Sequence, residues 1–234
     1  MLALAVFFGL MAAACIGMSD LFGRRVARAS SSITAASAIQ IVSGLAATLL
    51  AVTSNSVVTS ESLSWGCLSG FGMAFGLSLY YSGLQRSSAT LVAPIVASMT
   101  ALAPYAYSVL RGSPASVLAG SGAVIAVVGL VLVTGGAVSP ERMAAGIRYG
   151  AASGVAYAGA TIAFIEAADG GGWWPVVGQR VVAAGVLAVL ALIAGHRIWP
   201  GPGQRLNGVG GGILTMTVSI SLLAGLALDP GPAS

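Results

Sequence analysis

Three apolar runs between residues 66 and 136 decide the fold. Residues 66–84 read GCLSGFGMAFGLSLYYSGL, residues 87–110 read SSATLVAPIVASMTALAPYAYSVL, and residues 115–134 read ASVLAGSGAVIAVVGLVLVT. Each run is close to the ~20 apolar residues that cross a bilayer as a helix. Helices are favoured over barrel strands, since membrane strands are about 10 residues long and alternate polar with apolar residues. The runs therefore predict consecutive transmembrane helices.

The composition of the whole chain predicts a membrane protein. Of its 234 residues, 57% are hydrophobic and 7% are charged, and the mean hydropathy is +0.95. A soluble domain has about 25% charged residues, so this chain lacks the residues for a surface in contact with water. The net charge of +4 does not indicate nucleic-acid binding, because the arginines stand singly between apolar runs. Cys15 and Cys67 lie within apolar runs and predict neither a disulfide framework nor a metal site.

Along the rest of the chain, similar runs bring the prediction to eight transmembrane helices, numbered here as spans 1 to 8. They cover residues 2–21, 33–52, 63–84, 90–110, 115–134, 147–165, 174–194 and 207–228. The first is interpreted as a retained span rather than a signal peptide, since no positive charge precedes it. Arginines follow spans 1, 3, 5 and 7, and Arg111 after span 4 is the exception. The positive-inside rule then places those four loops in the cytoplasm and the N-terminus outside.

An internal repeat appears at a constant offset of 142 residues, which pairs Gly66 with Gly208 and Gly70 with Gly212. The predicted units are residues 1–139, with spans 1–5, and residues 140–234, with spans 6–8, so the second copy is incomplete. Five is an odd number of spans, so the second copy inserts upside down relative to the first. The arginines change sides as an inversion requires. Three arginines follow span 1 and none follows the corresponding span 6, whereas none follows span 2 and two follow the corresponding span 7. Inverted repeats are typical of secondary transporters, whose substrate site lies near the midplane between the repeats.

Several of these runs resemble one known family. Residues 80–95, YYSGLQRSSATLVAPI, resemble the third-to-fourth helix junction of the drug/metabolite transporter superfamily, EamA type, and residues 17–22, GMSDLF, resemble the close of its first helix. Arg111 stands where the family commonly has a glutamate. The resemblance implies ten helices, so that spans 9 and 10 would be missing after residue 234. It also implies cytoplasmic termini, in conflict with the orientation indicated by the arginines.

Polar residues within the spans are the candidates for a substrate site, since lipid offers them no partner. The candidates for lining a cavity are Gln40, Tyr80, Tyr81, Tyr157, Gln179 and Arg180. The Arg180 guanidinium suits an anion or carboxylate, or else it has a snorkelling or structural role. Asp20 is the candidate for proton coupling, as an intramembrane carboxylate, or else it caps the turn before Arg24. Glu166 is interpreted as a loop carboxylate.

Four glycine pairs have the small-xxx-small spacing that lets helices approach closely. They are Gly66–Gly70, Gly72–Gly76, Gly150–Gly154 and Gly208–Gly212. We assign them to helix packing rather than to a site. The sequence shows no nucleotide motif, no catalytic set and no metal-ligand set, so it predicts a non-enzyme without a cofactor.

The sequence predicts an all-α, multi-pass secondary transporter of the inner (plasma) membrane. It would export a small metabolite, amino acid or drug-like molecule by alternating access. The predicted partners are the lipid bilayer, the small-molecule substrate and a second copy in a homodimer, with no nucleic acid. Two alternatives remain open: a truncated fragment without transport activity, and a membrane scaffold or partner subunit held by its glycine faces.

Overall fold

The computed structural model is a bundle of long α-helices. It describes residues 2–112, 120–122, 124–125, 128–129, 132, 139–167 and 172–227. Within these residues the long helices are α1 Leu2–Ala29, α2 Ser32–Thr53, α3 Ser60–Arg86, α4 Ala89–Leu110, α5 Pro140–Ala167, α6 Trp174–Ile193 and α7 Arg205–Ala227. A short 3₁₀ helix, Pro202–Gln204, leads into α7. Predicted span 5 lies largely outside the described residues, and those of its residues that are described are helical.

Five of the described helices are long and apolar enough to cross a membrane: α1, α2, α4, α6 and α7. Helices α3 and α5 have 27 and 28 residues, which is sufficient length, but α3 contains eleven glycines and serines and α5 contains four charged residues. Their small residues are buried against neighbouring helices, among them Gly66, Ser69, Gly70, Gly150, Ser153 and Gly154. These small residues let α3 and α5 pack closely on their neighbours. The prediction of an all-helical membrane bundle is confirmed, whereas eight spans and an inverted repeat stay predictions.

Hydroxyl side chains cap the N-termini of two helices. Ser31 Oγ accepts a hydrogen bond from the Thr34 backbone N–H at 3.0 Å, and Thr59 Oγ1 accepts one from the Ser62 N–H at 3.3 Å. Each cap satisfies one of the N–H groups that the first turn of a helix leaves without an intrahelical partner. Such partners matter more where the helix end approaches lipid, which offers no hydrogen bonds.

The packing contacts place the helices in a simple order across the bundle. Helix α1 packs on α7, α7 on α2, α2 on α6, α6 on α3, α3 on α5, and α5 on α4. The contact between α2 and α6 is therefore the middle of this series. Helix α1 also contacts α2 and α3 directly.

Most of the arginines gather at one end of the bundle. Ser87 Oγ donates to the Arg142 carbonyl at 2.7 Å, and Thr34 Oγ1 donates to the Arg197 carbonyl at 2.6 Å. A third bond runs from Ser82 Oγ of α3 to a serine at the start of α2. Together the three bonds bring the α1–α2, α3–α4 and α6–α7 loops to the same end of the bundle. Eight of the ten arginines belong to this end: Arg24, Arg25, Arg28, Arg86, Arg142, Arg148, Arg197 and Arg205.

Arg111 lies at the opposite end and has a carboxylate partner there. Its guanidinium is 3.7 Å from Glu166, which also accepts a hydrogen bond from the Tyr107 hydroxyl at 2.7 Å. The interpretation of Glu166 as a loop carboxylate is wrong, because it belongs to the last turn of α5. Since the charge of Arg111 is balanced by Glu166, the single exception in the arginine pattern adds no net positive charge to this end.

Candidate functional site

A buried network of hydrogen bonds joins three helices at the centre of the bundle. Arg180 of α6 donates to Gln40 Oε1 of α2 at 3.3 Å and to Ser219 Oγ of α7 at 2.9 Å. The three side chains are 4%, 1% and 5% exposed. The structure thus brings together two of the six candidate cavity residues, and it adds Ser219, which the sequence did not single out.

The network holds a cation and several donors that have no partner. Among the described residues the one ion pair is that of Arg111, so Arg180 has no carboxylate within ion-pair distance. Arg180 Nε, Gln40 Nε2 and Ser37 Oγ are buried and make no hydrogen bond. A guanidinium only donates hydrogen bonds, so Gln40 accepts from Arg180 through its amide oxygen, and its buried NH₂ group is left without a partner. Buried polar groups normally find partners, so three unpaired ones in a single network need an explanation such as a bound ligand, ion or water.

A groove of about 170 Å³ lies beside this network, between α2 and α6. It is lined by Gln40, Ile41, Gly44, Leu45, Thr48, Val181 and Ala184. Its walls are mainly aliphatic, and the polar groups are those of Gln40 and Thr48. Gly44 forms the floor next to Arg180, since a Cβ added there would lie 3.4 Å from the Arg180 Cβ. The groove therefore combines an apolar wall with one edge of the polar network.

A second polar cluster lies where α1 meets α3. The Tyr80 hydroxyl donates to Asp20 Oδ2 at 2.8 Å. Tyr157 of α5 packs against the apolar cluster that includes Tyr80 and Tyr81. The structure thus brings Asp20 and Tyr80 together, with Tyr157 packed at the same cluster. Among the described residues, no three His, Cys, Asp or Glu side chains come together as they do in a metal site.

The alternative that Asp20 caps a turn before Arg24 is wrong. Helix α1 continues without a break from Leu2 to Ala29. Asp20 is therefore an interior residue of the helix, and its carboxylate has the Tyr80 hydroxyl as its partner. The sequence missed this because the predicted span ended at residue 21, where the arginines begin, while the helix extends beyond the apolar run.

The two remaining candidates, Tyr81 and Gln179, are committed to packing contacts. Tyr81 is fully buried in an apolar cluster, and its hydroxyl makes no hydrogen bond. Gln179 Nε2 donates to Ser69 Oγ at 2.6 Å, and Ser69 Oγ donates to the Ala160 carbonyl at 2.6 Å. This relay ties α6, α3 and α5 together. The sequence does not show which serines bond between helices, because others, such as Ser43, bond to a carbonyl of their own helix.

The assignment of the glycine pairs to helix packing is confirmed. A Cβ at Gly66 would lie 2.5 Å from the Pro175 carbonyl oxygen, and one at Gly70 would lie 2.7 Å from the Gln179 carbonyl oxygen. Both distances are far below van der Waals contact, so only the hydrogen of glycine fits. Members of the other three pairs are also in close contact with neighbouring helices.

Comparison with known protein families identifies one match. The model of the EamA-like transporter family matches residues 3–135, more than half of the chain. The chain belongs to the EamA-like transporter family. Searches of curated proteins and of solved structures found no match. As an EamA-like protein with several membrane-spanning helices, it is a multi-pass membrane protein of the drug/metabolite transporter type. Family members are transporters, which agrees with the prediction of a non-enzyme.

Proposed function

We propose that this EamA-like protein is a secondary transporter that exports a small metabolite, amino acid or drug-like molecule across the plasma membrane by alternating access. The observation that carries the proposal is the network of Arg180, Gln40 and Ser219. It places polar groups from both predicted repeats in the interior of an apolar bundle. Intramembrane ionisable residues usually mark a substrate or ion pathway, because they are costly to insert.

The order of helix packing supports two inverted units, residues 1–139 and 140–234. Exchanging the units replaces α1, α2 and α3 by α5, α6 and α7. Under this exchange the α1–α7 contact becomes α5–α3, the α2–α7 contact becomes α6–α3, and the α2–α6 contact becomes itself. All of these contacts occur. The α2–α6 contact therefore lies on the proposed pseudo-two-fold axis, which is where such transporters bind their substrates.

Individual contacts support the same exchange. Ser19 Oγ donates to the Gly211 carbonyl at 2.9 Å, and Ser69 Oγ donates to the Ala160 carbonyl at 2.6 Å. The offset of 142 pairs Ser69 with Gly211, and it pairs Ser19 with the residue that follows Ala160. The repeated glycines agree: Gly66 and Gly70 contact α6, whereas Gly208 and Gly212 contact α2. The repeated glycines thus make corresponding contacts in the two units, and the two serine bonds join nearly corresponding positions with the donor on the other helix of the pair.

In this proposal the two units rock against each other about the α2–α6 contact. The end that holds eight arginines faces the cytoplasm by the positive-inside rule. Asp20, hydrogen-bonded to Tyr80, carries the coupling proton. The predicted homodimer stays a prediction.

Uptake into proteoliposomes tests the proposed function. The purified chain is reconstituted, and labelled metabolites, amino acids and drug-like molecules are screened with an imposed pH gradient. At least one compound should accumulate above the level in empty liposomes, and Gln40→Leu should abolish this accumulation. The control Thr53→Val removes an exposed hydroxyl of the same helix that bonds only within α2, so it should leave uptake unchanged. If the folded protein transports none of the compounds, the result would favour one of the alternatives without transport activity, such as a membrane scaffold or partner subunit.

A further inference from the structure

We propose that the substrate carries a carboxylate, which binds to Arg180 and Gln40 in the centre of the bundle. This inference names the substrate class of the site described above, and it rests on the proposed function only for the step of transport. Binding of a carboxylate to the network can be measured without any transport.

The positive charge of Arg180 favours an anionic substrate. The hydrogen-bond partners of Arg180 in the network, Gln40 and Ser219, are neutral. No carboxylate of the described residues lies within ion-pair distance. A buried cation without a counter-ion is strongly unfavourable. A bound anion is the partner that balances it, and a cationic or neutral substrate would leave the charge unbalanced.

The hydrogen-bond donors without a partner in the network favour a carboxylate. A guanidinium has five N–H groups, and two of them donate to Gln40 and Ser219, so three remain, including that of Nε. The amide NH₂ of Gln40 adds donors to the same region, and Ser37 lies one turn earlier on α2. A carboxylate has two oxygens that accept paired hydrogen bonds from a guanidinium edge. Its acceptors match what the network lacks.

The groove bears on the polarity of the rest of the molecule. The aliphatic side chains of Ile41, Leu45 and Val181 form its walls. It is open on one side, where Leu45 and Val181 are 69% and 52% exposed, so it sets no upper limit on the length of a ligand. The aliphatic wall therefore favours a monocarboxylate with an apolar body over a highly polar anion.

Thermal unfolding of the purified full-length chain in detergent, with benzoate as the probe, tests this inference. Benzamide is the matched neutral compound, and inorganic phosphate is the matched anion without an apolar body. Benzoate should raise the melting temperature in a saturable manner, and benzamide and phosphate should not. Charge-assisted hydrogen bonds predict that Arg180→Gln weakens benzoate binding roughly 10- to 100-fold. The control Arg111→Gln removes an arginine at the end of the bundle and should keep the benzoate effect.

A second variant keeps the test decisive if Arg180→Gln does not fold. Gln40→Glu places a tethered carboxylate of the same shape next to Arg180. This variant should melt at a higher temperature than the wild type and lose its response to benzoate. Equal effects of benzoate and benzamide, an effect of phosphate alone, or an undiminished benzoate effect in Gln40→Glu would overturn the assignment.

The two proposals fail in different ways. Benzoate binding that depends on Arg180, in a protein that transports nothing, would leave the carboxylate site standing and remove the transport function. Uptake of a neutral or cationic compound, with no response to benzoate, would support transport and overturn the carboxylate assignment.

Discussion

The closeness of α3 and α6 predicts that a single methyl group at Gly70 destabilises the fold. A Cβ there would lie 2.7 Å from the Gln179 carbonyl oxygen and 2.8 Å from the Val182 Cβ. Both atoms are fixed to the α6 backbone, so neither moves aside by a rotamer change. Ordinary contact needs about 3.5–4.0 Å, so Gly70→Ala requires the two helices to separate by up to about 1 Å.

The expected magnitude follows from two opposing effects. Overpacking a well-packed interface costs about 1–3 kcal/mol, while alanine is favoured over glycine within a helix by about 0.5–1 kcal/mol. Gly70→Ala should therefore lower the free energy of unfolding by roughly 1 kcal/mol. Gly159→Ala in α5 is the matched control, because a Cβ there meets nothing within 4 Å. It should raise the free energy of unfolding by about 0.5–1 kcal/mol.

Equilibrium unfolding in mixed micelles, with sodium dodecyl sulfate as the denaturant, measures both variants. The four tryptophans provide the fluorescence signal, and circular dichroism follows the helix content. Gly212→Ala, the corresponding change in the second unit, should also destabilise, because a Cβ there is blocked by Val42 and by the Ile39 carbonyl. If Gly70→Ala and Gly159→Ala are stabilised equally, the helices are not packed as closely as the structure places them.

Three further predictions concern protons, charge and orientation. Asp20→Asn should remove the pH dependence of uptake of a transported compound, and an unchanged pH profile would exclude Asp20 as the coupling group. Glu166→Gln should lower the free energy of unfolding by less than about 1 kcal/mol, since its ion pair with the largely exposed Arg111 is weak, and a loss above ~2 kcal/mol would contradict this. In a variant with both native cysteines replaced, Ser30→Cys should react with an impermeant thiol reagent only from the cytoplasm and Ser56→Cys only from outside. Labelling of both from one side would refute the two-ended arrangement.

The class of the protein and the faces of helix contact could be predicted from the sequence, because both depend on local patterns. A run of about 20 apolar residues crosses a bilayer whatever its neighbours are. Glycines four residues apart lie on one face of a helix, so a pair such as Gly66 and Gly70 already indicates a close contact. The identity of the partner helix is not contained in that spacing.

Only the tertiary structure decided which polar candidates meet at the centre of the bundle and which bond elsewhere. Gln40 and Arg180 are 140 residues apart and meet because α2 crosses α6, and Ser219 joins them from α7. Gln179, the neighbour of Arg180 in the chain, points to α3 instead. Adjacent residues of a helix face different directions, so the crossing of the helices determines which of them reaches the centre. Hydropathy placed these side chains in the membrane, and helix packing left the Arg180 guanidinium without a carboxylate of the described residues at ion-pair distance.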